Sequence, residues 1–179
     1  MLNLRRKASN THPFIPLDGV PSYAQKELPR PNLAQAPGRP AMVVGVLQVQ
    51  GGRVPVTILH PDAALNARSY LALISKAGEV YQVGTRDVVL DMRDVPAISS
   101  SGLAALYGVA VVLRGEEPPD PEAGWSTFHA MARELESGSQ QPHFKLLGPQ
   151  PKVKQALEQV GFENFLEIHD DLERAVASF

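Results

Sequence analysis

The sequence predicts an α/β domain with a mostly parallel sheet. Short runs of β-branched and apolar residues alternate with longer segments whose apolar residues recur at helical spacing. The predicted order is ββαβα, then an insertion, then βαβα. Strands that alternate with helices are typical of a parallel sheet with helices packed against it. A length of 179 residues suits one domain with appendages.

The composition excludes several kinds of site and location. The chain has no cysteine, so it contains no disulfide, thiolate zinc site or cysteine nucleophile. No apolar run reaches the roughly 18 residues that a membrane span needs. Arg5, Arg6 and Lys7 are not followed by an apolar segment, which argues against a secretory signal. We therefore expect a cytoplasmic protein with no membrane partner.

Residues 1–40 differ from the rest of the chain. They hold seven of the sixteen prolines, and six Lys or Arg against two Asp or Glu. We predict an extended or disordered arm here, because proline fixes φ and removes a backbone donor. Residues 41–179 form the predicted domain. Its acidic balance argues against nucleic-acid binding, which needs clustered basic side chains.

The domain is predicted to begin with a hairpin and a helix. Val43–Val49 and Val54–Leu59 are strand-like runs separated by a Gly-Gly pair, which favours a turn. Asp62 is predicted to cap a helix that runs to about Val83, because the apolar residues of this segment follow a rough helical stripe.

The central strand and the helix after it flank a serine-rich turn. The strand is predicted over about Asp87–Met92 and the helix over about Ser101–Leu113. That helix has almost no polar face, so it must be largely buried. The turn carries Ser99, Ser100 and Ser101. A helix N-terminus presents free N–H groups and the positive end of the dipole, which favour an anion.

The residues of this turn alone leave two interpretations open. Serine is among the best N-cap residues, so in the simpler interpretation the turn caps the helix. In the other interpretation one serine carries a phosphate. Three adjacent hydroxyls exceed what a cap requires, yet serine-rich turns are common.

The insertion at about residues 114–142 contains one helical pattern. Trp125, Phe128, Met131 and Leu135 recur at helical spacing between two polar loops. We expect an amphipathic helix that covers part of the core. The alternative is a helix that docks a partner.

Two further strands and two further helices are predicted after the insertion. They are a strand at His143–Leu147, a helix at Lys152–Val160 closed by Gly161, a strand at Phe165–Ile168, and a last helix capped by Asp170 or Asp171.

Intrinsic catalysis is not expected. The serines do not form a Gly-x-Ser-x-Gly nucleophile elbow, because Ala97 and Ile98 precede them. The five histidines are dispersed, without the spacing of a catalytic triad or a metal site. Asp91 and Asp94 flank the turn, where capping or solvation is a better interpretation than cation binding. We predict no enzyme activity, no cofactor and no metal site.

Two stretches resemble one known family. Residues 88–106, VVLDMRDVPAISSSGLAAL, resemble the STAS domain of anti-sigma factor antagonists, whose signature is an apolar strand, Asp, a few residues, then Asp-Ser-Ser-Gly-Leu. Residues 143–179 resemble the C-terminal third of that domain, including its Gly-Pro turn and Gly-Phe break. The resemblance covers about Met42–Phe179, apart from the insertion.

The resemblance implies a single STAS-like α/β domain, with four or five strands in a mostly parallel sheet and helices packed on one side. It also implies partner switching. In this family the unphosphorylated antagonist binds an anti-sigma factor, which is a serine kinase of the GHKL type. The kinase phosphorylates a serine at the turn and the complex is lost. A metal-dependent serine phosphatase then restores binding.

Matched to the family motif, Ser100 corresponds to the phosphorylated serine, and Ser101 and Ser99 are the next candidates. Ser99 stands where the family has aspartate. A serine keeps the hydrogen-bonding capacity but lacks the negative charge. The residues that the resemblance implies for partner binding are Asp94, Ser99, Ser100, Ser101, Gly102 and Leu103.

A second function stays open beside partner switching. It is a non-phosphorylated STAS scaffold or ligand-sensing interaction module, in which the serines are only structural. The polar insertion and the proline-rich arm favour it, because both look like additional contact surfaces. An exposed edge strand would also allow self-association into a homo-oligomer.

Overall fold

A six-stranded sheet forms the centre of the structure, and its strands lie side by side in chain order. The computed structural model describes residues 14–16, 42–50, 54–119 and 125–179. The strands are β1 (Phe14–Pro16), β2 (Val44–Gln50), β3 (Pro55–Pro61), β4 (Asp87–Asp91), β5 (Phe144–Leu147) and β6 (Glu167–His169). The helices are α1 (Tyr70–Gln82), α2 (Ser100–Leu113), α3 (Trp125–Ser137), α4 (Pro151–Gln159) and α5 (Leu172–Ala177), with a 3-10 turn at Phe162–Asn164.

The sheet is mostly parallel, as predicted. Among the described strands, β2 and β3 form the antiparallel pair, and every other pair of neighbours is parallel. The predicted hairpin is therefore confirmed as a strand pair, although its turn at residues 51–53 lies outside the described residues. Five strands come from residues 42–179, and β1 adds a short sixth at the edge of β2. The rest of the arm predicted over residues 1–40 lies outside the described residues.

The sheet is buried on both faces. Val88 and Leu90 of β4 lie in the larger core with α1 to α4, whereas Val89 lies in a smaller core with α5. Successive strand residues alternate between the two faces. An uninterrupted Val-Val-Leu run therefore suits a strand that is covered on both sides. The four longer helices share one face, as the resemblance implies, and the six-residue α5 closes the other.

The first helix begins later than predicted. Asp62 does not cap it: the Asp62 carboxylate accepts a hydrogen bond from the Val43 N–H at 2.8 Å, and the Asp62 N–H donates to the Val43 carbonyl at 3.1 Å. Asp62 therefore continues the pairing of β2 with β3. The helix starts only at Tyr70, after Ser69.

The last strand also differs from its prediction. Phe165 and Leu166 were expected to open it, but both are fully buried just after the 3-10 turn. The Phe162 and Phe165 rings meet edge to face, with centroids 5.7 Å apart. The apolar run therefore fills the core below α4, and β6 begins two residues later than predicted, at Glu167. Gly161 does end α4 with a φ of 77°, and the Asp171 carboxylate caps α5, as predicted.

α2 is buried along almost its whole length. Every residue from Gly102 to Leu113 is buried, as expected for a helix without a polar face. α1 packs beside it and α3 covers it from outside. Met131 is buried, and Phe128 and Leu135 pack against the same core. The covering role predicted for the insertion helix is confirmed. No helix of the described chain is long and apolar enough to cross a membrane.

Two glycine-to-alanine substitutions are expected to have opposite effects on the free energy of unfolding. Gly161→Ala places a Cβ on a residue with a φ of 77° and should cost about 1–2 kcal/mol. Gly78→Ala lies inside α1, where the new Cβ meets nothing within 4 Å, and should stabilise by about 0.5–1 kcal/mol. Urea unfolding followed by circular dichroism measures both. Effects of the same sign would contradict the assigned backbone conformations.

Candidate functional site

The serine turn lies at the carboxyl edge of the sheet, where β3 and β4 end side by side. Leu59 pairs with Leu90 in the parallel register of these strands, so the next residues, His60 and Asp91, are neighbours. The chain leaves β4 through Arg93 and Asp94, reaches the turn and enters α2. Polar residues from two strands thus lie close to the start of one buried helix.

Ser99 is the N-cap of α2. Its backbone is extended, with a φ of −105° and a ψ of 176°, and its hydroxyl accepts a hydrogen bond from the Gly102 N–H at 3.4 Å. Its carbonyl accepts from the Leu103 N–H at 2.9 Å. These are the contacts expected of an N-cap residue. The helix begins at Ser100, one residue before the predicted start.

The three serines differ in exposure. Ser99 and Ser100 are exposed, and Ser101 is half-buried. Gly102 and Leu103 are buried, so they shape the turn from beneath rather than contribute to its surface. Of the six residues implied for partner binding, the structure therefore brings Ser99 and Ser100 furthest into solvent.

A close backbone contact fixes the turn against the segment before α1. The Leu65 N–H donates to the Ala97 carbonyl at 3.0 Å, and the Ser99 N–H donates to the Leu65 carbonyl at 2.9 Å. A Cβ on Gly102 would lie 2.8 Å from the Leu65 carbonyl carbon and would overlap its oxygen. The Gly of the Ser-Gly-Leu sequence is thus required by packing.

A buried ion pair lies below the turn. Asp91 is fully buried, and its two oxygens accept from Arg93 Nε at 2.9 Å and Arg93 Nη2 at 2.7 Å. Burial by itself raises the pKa of a carboxyl group. Here the hydrogen bonds from Arg93, the contact with His60 and the Arg93 charge outweigh it and lower the Asp91 pKa to about 2. Asp91 is therefore a buried carboxylate held by cations.

His60 joins this pair to the loop that carries the turn. Its Nδ1 lies 3.2 Å from Asp91 Oδ2, and its Nε2 lies 3.1 Å from Asp94 Oδ2. The close contact with Asp91 raises the His60 pKa above its ordinary value of 6.5, and this outweighs the opposite effect of burial. We name His60, Asp91, Arg93 and Asp94 the edge cluster.

His60 and Arg93 belong to the site but were not predicted from the sequence. The interpretation of the histidines as dispersed considered spacing along the chain. A signal was present nonetheless, because adjacent parallel strands bring their carboxyl ends to the same edge. His60 and Asp91 each follow an apolar strand run, and the pairing of β3 with β4 places them together.

Comparison with protein families gives an independent result. The model of the STAS domain family matches residues 47–116. This range includes β3, α1, β4, the serine turn and α2. Over these residues the chain is similar to the STAS domain family. No curated protein matches the sequence.

Solved structures of anti-sigma factor antagonists are similar to this chain. An anti-sigma factor antagonist from Mycobacterium paratuberculosis superposes with a TM-score of 0.52 and 14% identity, over 76% of this chain and 92% of its own. A Thermotoga maritima protein assigned as an anti-sigma factor antagonist gives a TM-score of 0.48 and 20% identity, over 67% and 83%. Unphosphorylated SpoIIAA, an anti-sigma factor antagonist, gives 0.42 and 14%, over 74% and 92%. The Mycobacterium paratuberculosis structure supports a common fold, because its TM-score exceeds 0.5.

The glycine contact at the serine turn can be tested with a matched pair of substitutions. Gly102→Ala sets a Cβ against backbone atoms of Leu65, so the turn must move, and we expect a loss of about 2–3 kcal/mol of stability. Gly108→Ala in the same helix meets the end of the flexible Ile74 side chain, and its change should stay below about 1 kcal/mol. Urea unfolding of the two variants measures the difference. Equal losses would show that the backbone approach at Gly102 is not limiting.

The Asp91 carboxylate should make the domain sensitive to acid. Its pKa is about 2 in the folded protein against an ordinary 3.8, so its contribution is present above pH 3.8 and is lost as the pH falls towards 2. The shift corresponds to about 2 kcal/mol. Wild type should lose that much more stability than Asp91→Asn between pH 5 and pH 2, as measured by urea unfolding. The exposed Asp170→Asn should behave as wild type, and equal losses in wild type and Asp91→Asn would contradict the assignment.

Proposed function

We propose that this protein is an anti-sigma factor antagonist-like protein that acts by partner switching. In its unphosphorylated form it binds an anti-sigma factor that is a serine kinase of the GHKL type. Phosphorylation of Ser100 ends the complex, and a serine phosphatase restores it. Contact is made through the exposed start of α2 and the loop before it, including Asp94, Ser99 and Ser100.

The exposure of Ser100 at the first position of a buried helix carries the proposal. The Ser99 hydroxyl is engaged as the helix cap, and Ser101 is half-buried. Ser100 is thus the serine whose hydroxyl is in solvent and is not needed to start the helix. This supports Ser100 over its two neighbours as the modified residue.

The position of Ser100 also suits a phosphate. The first N–H groups of a helix lack intrahelical acceptors, and the positive end of the dipole points at them. A phosphoserine adds about −1.5 to −2 of charge. At this place the charge is accommodated without loss of the fold. Its effect therefore falls on the partner, through repulsion and desolvation at an acidic docking surface.

Ser99 keeps one role of the aspartate that the family has there. Serine and aspartate are comparable N-caps, so the start of α2 is preserved. The negative charge of the aspartate is absent. The same capping hydrogen bond favours the second function, a constitutive scaffold or ligand-sensing module, since it gives the serine a structural reason to be present.

Phosphorylation separates the two functions. The full chain is incubated with ATP and each GHKL-type serine kinase of the source organism, and the products are analysed by mass spectrometry. We expect phosphate on Ser100 and none in Ser100→Ala. The complex with that kinase is then measured by calorimetry. Ser100→Asp should bind about 100-fold more weakly, because a like charge in an interface costs several kcal/mol.

Ser75→Asp is the matched control for this experiment. Ser75 is exposed on α1, so the same charge is added away from the turn. Its affinity should equal that of wild type. Ser100→Asp should also be as stable as wild type or slightly more so, by about 0.3–1 kcal/mol, because a carboxylate at a helix start is favourable. Unmodified serines together with full binding by Ser100→Asp would favour the scaffold function.

A further inference from the structure

We infer that His60 is a positioning residue for the serine turn: as an imidazolium it bridges Asp91 and Asp94 and holds the β4–α2 loop against β3. The partner surface is then ordered at low pH and loosened when His60 loses its proton. The consequence for binding rests on the proposed function. We call the bridge that His60 makes between Asp91 and Asp94 the clamp. The clamp does not depend on the proposed function, and it is tested without a partner.

The position of His60 between two carboxylates favours its doubly protonated form. Each ring nitrogen faces a carboxylate oxygen, at 3.2 Å for Asp91 and 3.1 Å for Asp94. A neutral imidazole has one N–H and one lone pair, so it would set a lone pair against one of these oxygens. The imidazolium places its positive charge between the two carboxylates, and its buried Nδ1 contacts Asp91 as an ion pair without an aligned hydrogen bond. The raised pKa of His60 also favours the imidazolium.

The groups around His60 favour its charged form. Asp91 and Asp94 both attract the proton, and Arg93 opposes it. On the other side His60 pairs with Gly45 of β2, a strand that carries no ionisable side chain. With His60 charged, two carboxylates face two cations. Deprotonation removes one of these two cations, which weakens the hold on the outer carboxylate.

Asp94 is the outer carboxylate. Asp91 is fully buried at the end of β4, whereas the Asp94 side chain is 36% exposed and belongs to the loop. This loop also makes a turn from Val95 N–H to the Met92 carbonyl, at 3.0 Å, and meets the segment before α1 at Leu65. The His60–Asp94 contact therefore ties the first part of the loop to β3, while Leu65 ties the last part.

The clamp predicts how His60 titrates. In an NMR titration the His60 midpoint should lie above 6.5 in wild type. It should fall by about one pH unit in Asp94→Asn, because an opposite charge at this distance has been removed. Asp87→Asn is the matched control: Asp87 faces His143 at 2.8 Å, and its loss should leave the His60 midpoint unchanged. His60→Gln assigns the signal.

Amide hydrogen exchange shows whether the loop follows His60. Protection of residues 92–99, corrected for the intrinsic rate, should fall about tenfold as the pH rises through the His60 midpoint. In Asp94→Asn it should be low throughout and independent of this titration. Any of three results would overturn the inference. They are a His60 midpoint at or below 6.5, a midpoint that Asp94→Asn does not change, and loop protection that stays constant across the His60 titration.

Partner binding then separates this inference from the proposed function. Wild-type affinity for the kinase should weaken about tenfold across the His60 midpoint, and affinity of Asp94→Asn should not follow that midpoint. If no GHKL-type kinase binds, the proposed function fails, while the titration and exchange results still decide the clamp.

Discussion

The packing of α2 determines which part of this helix is accessible. The sheet lies below this helix, α1 packs beside it and α3 covers it, so every residue from Gly102 to Leu113 is buried. Such burial leaves the N-terminal turn as the accessible start of the helix. Because the turn is pinned to Leu65 by backbone hydrogen bonds, its hydroxyls are presented from a fixed position. A site that must be precise is thus built on a rigid element.

The edge cluster links stability to the same site. A fully buried carboxylate is costly unless cations and hydrogen bonds compensate it. Arg93 supplies Asp91 with a charge and hydrogen bonds, and His60 adds a second ion-pair contact. The two titrations act at opposite ends of the pH range. The contribution of Asp91 is present above pH 3.8, and that of His60 is present below pH 6.5 and lost as the pH rises through its raised pKa. Between pH 3.8 and pH 6.5 both groups stabilise the carboxyl edge of the sheet.

The sequence was sufficient where local pattern decides structure. The apolar β4 run, the serine cap and the polar-free helix predicted the central strand–turn–helix to within one residue, and Gly161 and Asp171 were predicted as caps. The failures have a common cause. Asp62 bonds to Val43 across the hairpin, and Phe165 packs on Phe162 below α4. Such contacts depend on tertiary structure, which overrides local propensity.

The residues of the site also show that local sequence does not predict contacts that depend on tertiary structure. The serines, Gly102 and Leu103 were found because they are contiguous and match a motif. His60 was not, since its partners depend on the parallel register of β3 and β4. A motif also does not distinguish residues at the surface of the site from buried residues that support it. Gly102 is specified by the overlap its Cβ would make with Leu65, and this requirement holds whether or not any serine is modified.

Ser99 changes the electrostatics of the turn more than its structure. An aspartate there would provide the same cap together with a permanent charge at the docking surface. With serine, the fixed negative charge of the β4–α2 loop comes from Asp94, and His60 opposes it at 3.1 Å. A phosphate on Ser100 would then be the dominant charge of the turn instead of an addition to an existing one. The loss of the aspartate thus enlarges the electrostatic contrast between the two states of the proposed switch, although it removes a charge that a partner in this family would meet.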